Sequence, residues 1–383
     1  MSPVRHFSRD GYRGMSNGVR ILAVAGASGG HIFPAVSFLE ALKKEHVDSK
    51  ALLVIPKRSV KVQITAEEFN IKYISIYPVN LTLTRSNLIA LLNFLKGTLE
   101  SLGFLFDFQP DIVVGFGGLE SIPLLFFAWI FRLKTLIHEQ NVLPGRANRL
   151  LAKFVDKVAI SFMETRNYLK ISQERIVLTG NPAFERLKPV TKKEALKFFG
   201  LKENKFTVLV TGGSQGSHNI NIAFLGAITA MNDNYKVQVI HITGEPDYDF
   251  LSRRYKNLSI NVDSKIFSFL EEMQYAYSAS DLTVTRAGAT TIAELLSFKL
   301  PAIIIPYPYV YNHQSENAKI LKKIGAAVVI EDNESISTEL KNILDEFVNN
   351  PGKIEAMKKN FNNYNVKSNA GDLLVNAAWD EPR

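Results

Sequence analysis

Short apolar runs recur along the chain at intervals that leave room for a helix between each pair. In the first half they are VRILAVA (19–25), ALLVIP (51–56), KYISIYP (72–78), DIVVGFGG (111–118) and KTLIHEQN (134–141). After the first run a glycine-rich turn leads into AVSFLEALKKE (35–45), which has the apolar spacing of an amphipathic helix. Such an alternation of strands and helices predicts a parallel sheet covered on both faces. After the proline-bearing, charged connection TGNPAFERLKPVTKKEALKFFG (179–200), the pattern restarts with KFTVLVTGGSQGSHNINIAFLGAI (205–228), again strand, glycine turn and helix. VQVIHITG, INVDSKIF, DLTVTRAG and PAIIIPYP continue it. The expectation is an α/β protein of two doubly wound domains in tandem, with ligand in the cleft that their strand ends share. The boundaries read as a flexible extension (1–18), two domains (19–185 and 186–355), and a C-terminal helix and tail (356–383) packing back on the first domain.

Composition narrows the classes. With 383 residues, 46% hydrophobic and 21% charged, the chain can bury two ordinary cores. It has no cysteine, which excludes disulfides and thiolate metal sites. The longest apolar stretch, IPLLFFAWIF, is interrupted by Arg132 and Lys134, short of the roughly 20 residues a membrane helix needs. Residues 1–18 are polar and lack an apolar core, so they do not read as a secretory signal. The net charge of +8 is uneven: residues 1–185 hold 22 Lys and Arg against 15 Asp and Glu, the remainder 23 against 22. That surplus suits either an anionic surface or a merely soluble basic face. Basic clusters interleaved with aromatics are not evident, so no nucleic-acid partner is expected.

Three glycine turns carry the candidate chemistry. GASGGH places Gly26, Gly29 and Gly30 before His31, a spacing that is neither the G-x-G-x-x-G of dinucleotide sites nor a P-loop. TGGSQGS (211–217) and TRAGATTIAELL (285–296) open two further helices. Each suits an anion at a helix start or simply a tight strand-to-helix turn. Glu294 has two readings, a carboxylate accepting ribose hydroxyls and an early-helix acid favoured by the dipole. HEQNV fails as a zinc motif because position 142 is Val, and DYD (247–249) is read as non-metal; no metal and no cofactor are expected.

In order and spacing, GASGGHIFPA, GFGGLESIP, HEQNVLPGRANRLLAK, TGNP, TGGSQGSHNIN and RAGATTIAELLSFKLPAIIIPYPYVYNHQSENA resemble the signature segments of the MurG family, over roughly residues 20–330. The resemblance implies two Rossmann-like domains facing across a cleft, the GT-B glycosyltransferase type. It implies transfer of GlcNAc from UDP-GlcNAc to the C4 hydroxyl of the N-acetylmuramyl unit of lipid I, with inversion and without an essential metal. A relative acting on another lipid acceptor, or a nucleotide-sugar-binding protein without turnover, are the alternatives. Matched residue by residue, Ser28, Gly29, Gly30 and Asn141 face the donor from the first domain, and Ser214 lies near the pyrophosphate. Ala289, Thr290, Thr291, Ile292, Ala293 and Glu294 form the nucleoside turn, with Glu294 on the ribose, and Gln314 and Asn317 face the GlcNAc hydroxyls. The chain departs from the pattern after GNP, where some members carry an Arg that contacts the donor; here that position is Phe184, with Arg186 two residues later. His31 is the expected general base, because an imidazole suits deprotonation of a hydroxyl near neutral pH; a histidine that caps or packs is the bland alternative.

A lipid-linked acceptor implies an enzyme that comes to the cytoplasmic face of the membrane. In RSNLIALLNFLKGTLESLGFLFDF (85–108), Leu88, Leu91, Leu92, Leu95, Leu99, Leu102 and Phe106 form one helical stripe, expected to face the core. Phe94 and Leu105 share a flank, with Arg85 and Lys96 beside them, while Ile89 and Phe104 point elsewhere; that flank is expected to dock on an anionic membrane.

Overall fold

The computed structural model describes residues 18–57, 70–76, 85–183, 187–231, 236–258, 262–308 and 313–380, without the side chains of 85–90. Expectations for residues 1–17, for Phe184 and Arg186, and for the side chains of Arg85, Leu88 and Ile89 fall outside them. The chain divides into two compact units, one of residues 1–185 with 367–383, the other of 186–366.

The first unit is a seven-stranded parallel sheet. Its strands are β1 (Arg20–Val24), β2 (Lys50–Pro56), β3 (Asn70–Ile74), β4 (Ile112–Gly115), β5 (Lys134–Glu139), β6 (Lys157–Ile160) and β7 (Ile176–Leu178), in the order β3-β2-β1-β4-β5-β6-β7. Helices α1 (Gly29–Glu45), α2 (Arg85–Phe108), α3 (Ser121–Ile130) and α4 (Arg146–Leu151) lie in the β1–β2, β3–β4, β4–β5 and β5–β6 crossovers. Buried aliphatic side chains line both faces of the sheet, as a sheet with helices on each side requires.

The second unit opens with α5 (Lys192–Phe199), then alternates β8 (Phe206–Thr211), α6 (His218–Thr229), β9 (Val237–Ile242), α7 (Tyr248–Lys256), β10 (Asp263–Phe267), α8 (Met273–Ala279), β11 (Leu282–Thr285), α9 (Ala289–Phe298), β12 (Ala302–Ile304), α10 (His313–Lys323) and β13 (Ala327–Val329). Its six strands are parallel in the order β10-β9-β8-β11-β12-β13. Two helices follow, α11 (Ile336–Asn349) and α12 (Pro351–Asn360). The last helix, α13 (Ala370–Trp379), returns to the first unit, where Leu374, Val375 and Ala378 join the core of α1, and Trp379 stacks on His46 at 4.1 Å.

Strand order positions the chemistry. In each sheet the crossover direction reverses once, between β1 and β4 and between β8 and β11, and a crevice opens at the carboxyl ends of those strands. The loops after β1 and β4 meet at the first crevice, those after β8 and β11 at the second.

Helix α2 corrects an expectation. The leucine stripe assigned to the core is the exposed face: Leu91, Leu92, Leu95, Leu99 and Phe106 are each more than half exposed, Leu99 at 69%. Leu105, expected outside, is fully buried, and Phe94 and Phe104 pack beside it. The reason is shape. Gly97 faces Ile76 so closely that a Cβ there would lie 2.2 Å from Ile76 Cγ1, so the helix settles on its small-residue side and leaves the leucines out.

Candidate active site

In the first unit the β1–α1 turn reaches the β4–α3 turn through glycines. A Cβ on Gly26 would lie 2.6 Å from His31 Nδ1, and one on Gly117 would lie 3.1 Å from its Nε2. The imidazole is therefore seated in a slot that only glycine leaves open. Gly117 and Gly118 both hold φ near +90°, a region costly for other residues, and Gly118 closes directly on Gly26. Ser28 Oγ stands 3.3 Å from His31 Nδ1, within reach of a weak hydrogen bond, and its carbonyl accepts from the His31 and Ile32 amides. Ser28 and Gly30 are exposed and His31 partly so, whereas Gly29 is buried.

Two features of this crevice escaped sequence reasoning. Glu120, at the start of α3, is 2% exposed, and burial pushes its carboxyl up to about 7. Its Oε2 lies where a Cβ on Gly118 would be, 2.3 Å from that position. The second feature is the use made of HEQN. Glu139 accepts from the Asn141 amide (2.8 Å), Asn141 Nδ2 (3.2 Å), the Gly145 amide (2.9 Å) and Asn148 Nδ2 (2.9 Å), so its carboxylate organises the loop after β5. Gln140 Nε2 donates to the Phe116 carbonyl (3.2 Å) and to His138 Nδ1 (3.1 Å), joining that loop to the β4 turn. His138 Nε2 in turn donates to the Gly180 carbonyl at 2.9 Å, and burial lowers its pKa to about 4, so it stays neutral. Asn141 is partly exposed, with its side-chain amide donating to Glu139.

In the second unit the loop after β8 is held open by Gly213 and Gly216, at φ +90° and +75°, and leaves Ser214 and Gln215 exposed. Arg286 ties it to the loop after β11: the buried guanidinium pairs with Asp332 at 2.7 Å and donates to Ser217 Oγ at 2.8 Å and the Ile305 carbonyl at 3.0 Å. Gln314 Oε1 accepts from the amides of Ala287 (3.2 Å) and Tyr307 (2.8 Å). Helix α9 then begins at Ala289, and its first N–H groups have no partner within the helix. Glu294 is partly buried and accepts a 2.7 Å hydrogen bond from the Tyr277 hydroxyl; burial raises its pKa to about 7.

The expected site residues thus fall into two groups, Ser28, Gly29, Gly30, His31 and Asn141 in the first unit and Ser214, 289–294, Gln314 and Asn317 in the second. Asn317 has no exposed surface, and its side-chain amide donates to the Ala287 carbonyl at 3.1 Å. Ile292 and Ala293 also have buried side chains. Among the described residues, no three His, Cys, Asp or Glu side chains gather as a metal site would need.

Comparison with known proteins identifies the family. Residues 21–160 match the glycosyltransferase family 28 N-terminal domain, and residues 207–373 match the family 28 C-terminal domain. The UDP-N-acetylglucosamine–N-acetylmuramyl-(pentapeptide) pyrophosphoryl-undecaprenol N-acetylglucosamine transferase of Halothermothrix orenii is 36% identical over 346 residues, covering 88% of this chain and 93% of its own. The enzyme of the same name from Bacillus pumilus is also 36% identical over 346 residues, with 89% and 93% covered. The crystal structure of Acinetobacter baumannii MurG superposes with a TM-score of 0.73 at 22% identity, over 93% of this chain and 98% of that one. A Staphylococcus aureus MnaA–UDP structure shares the fold at a TM-score of 0.68 and 15% identity, over 94% and 95%. The chain belongs to glycosyltransferase family 28, among its MurG-type UDP-GlcNAc-dependent N-acetylglucosaminyltransferases.

Proposed function

We propose that the chain joins GlcNAc from UDP-GlcNAc to the C4 hydroxyl of the N-acetylmuramyl unit of lipid I, inverting the anomeric centre and giving lipid II. The observation that carries the chemistry is the seating of His31, an imidazole held between Gly26 and Gly117 at the crevice of the first unit. His31 takes the proton of the acceptor hydroxyl as that oxygen bonds to the anomeric carbon. The bond from that carbon to the diphosphate oxygen breaks, and the electron pair leaves with UDP. The exposed loop at 213–216 and the N–H groups opening α9 are placed to meet the charge of the diphosphate. Glu294 receives the ribose hydroxyls. Gln314, with its Oε1 fixed by two backbone amides, turns its Nε2 to the sugar.

The acceptor's lipid calls for a membrane-facing surface, and the exposed side of α2 supplies one. Leu91, Leu92, Leu95, Leu99 and Phe106 continue through the Phe106–Phe131 ring contact to α3, where Phe126, Trp129 and Ile130 are exposed. Trp129 and Phe126 both touch Phe154, and Lys96, Arg132, Arg149 and Lys153 are exposed nearby in sequence. An apolar face flanked by basic side chains suits an interfacial helix on anionic lipid. Among the described residues no helix is long and apolar enough to cross a membrane; the proposed docking is peripheral, on the cytoplasmic face.

Incubation with UDP-GlcNAc and a lipid I analogue, followed by NMR of the product, tests the reading. A β-linked GlcNAc on the muramyl C4 oxygen is expected. An α-linkage would overturn inversion, and transfer only to a different glycolipid would overturn the acceptor.

A further inference from the structure

Helix α8 lies behind α9, and its Tyr277 is 4% exposed, out of reach of any ligand. Its hydroxyl nevertheless donates to Glu294 Oε2 at 2.7 Å, while its ring rests on Phe298 one turn further along α9. The phenol is thus clamped at both ends against the helix that carries the carboxylate. We propose that Tyr277 is a positioning residue of the donor site, which pins one oxygen of Glu294 from inside the fold so that the carboxyl group presents a fixed edge to the ribose hydroxyls. This rests on the reading that Glu294 binds the ribose.

Ionisation is part of the role. Burial favours the neutral acid, and the hydrogen bond from Tyr277 works against it by stabilising the charged form. Among the described residues, no cation pairs with Glu294. Arg286, at the end of β11, is engaged with Asp332 and Ser217, and Lys299 at the end of α9 donates to Asn362. On α10, Glu316 and Lys319 pair with each other, and His313 precedes them; ahead of α8, Glu271 and Glu272 are exposed. Without the phenol hydroxyl the Glu294 carboxyl would hold its proton to higher pH and rotate freely. It would then discriminate poorly between a ribose and a ring lacking its hydroxyls.

The test compares binding of UDP and 2′,3′-dideoxy-UDP to the full chain and to Tyr277→Phe, Tyr277→4-aminophenylalanine and Glu294→Ala. In Tyr277→Phe the preference for UDP is expected to fall about tenfold near pH 7, the equivalent of one lost hydrogen bond of about 1.4 kcal/mol, and to recover in part by pH 8.5 as the carboxyl ionises. Dideoxy-UDP affinity should not change, which also reports intact folding, and the 4-amino variant, which restores a donor, should restore the preference. If Tyr277→Phe keeps the full preference while Glu294→Ala loses it, Tyr277 is only a packing residue and the proposal falls. If Glu294→Ala keeps the preference as well, the ribose assignment itself is wrong.

Discussion

An alanine at position 26 would bring a carbon within 2.6 Å of His31 Nδ1, so the slot that seats the imidazole can be closed without touching the histidine. Gly26→Ala and His31→Ala should therefore share one phenotype: kcat lower by about 10²- to 10⁴-fold, with UDP affinity retained because the residues proposed to meet the diphosphate and the ribose belong to the other unit. Steady-state kinetics beside a UDP titration check this, and turnover within a few-fold of the parent in His31→Ala would place the base elsewhere. Glu120 gives a second prediction, on stability. Its folded-state pKa of about 7 lies above the ordinary 4.5, so between those values the unfolded chain has released a proton that the fold still holds. Stability from this group is thus full below about 4.5 and declines as pH rises toward 7. Glu120→Gln removes that decline, and its advantage over the parent in urea unfolding should grow across this interval by up to roughly 3 kcal/mol.

At the scale of elements, α2 separates two kinds of leucine. Leu105→Ala, at a fully buried position, should cost about 2 to 5 kcal/mol of unfolding free energy. Replacing Leu95 and Leu99 by Ser should leave the unfolding midpoint nearly unchanged, weaken binding to anionic vesicles, and slow transfer to a long-chain acceptor more than to a short soluble one. Equal loss on both acceptors would argue against membrane docking. The same helix shows what the sequence makes legible. Apolar runs and glycine turns have period and composition, so the parallel sheets and the turns beside which His31, Ser214 and Glu294 lie can be read directly. Which face of α2 packs cannot be read that way. A wheel counts leucines, whereas the fit to Ile76 depends on Gly97 having no side chain. Tyr277 and Glu139 were hidden for a related reason: each acts through a hydrogen bond whose other end the sequence does not announce, Tyr277 across helices and Glu139 around a tight loop.

At the scale of the whole molecule, the first unit is discontinuous in sequence, assembled from 1–185 and 367–383, while the second is one uninterrupted stretch. Removal of residues 367–383 should strip Leu374, Val375 and Ala378 from the core around α1. The first unit's amides should then exchange faster, while those of β8, β9 and β11 keep their protection. Unchanged exchange in β1 and β2 would show that α13 adds little. The same arrangement sets an order of events on the ribosome. A nascent chain with 185 residues released already contains every strand of its first sheet, yet it lacks the helix that covers α1. The second unit, whose segments are contiguous, can close before that helix has left the exit tunnel. The unit begun first is thus completed after the one that follows it, and until α13 emerges its open apolar flank depends on chaperones or on speed.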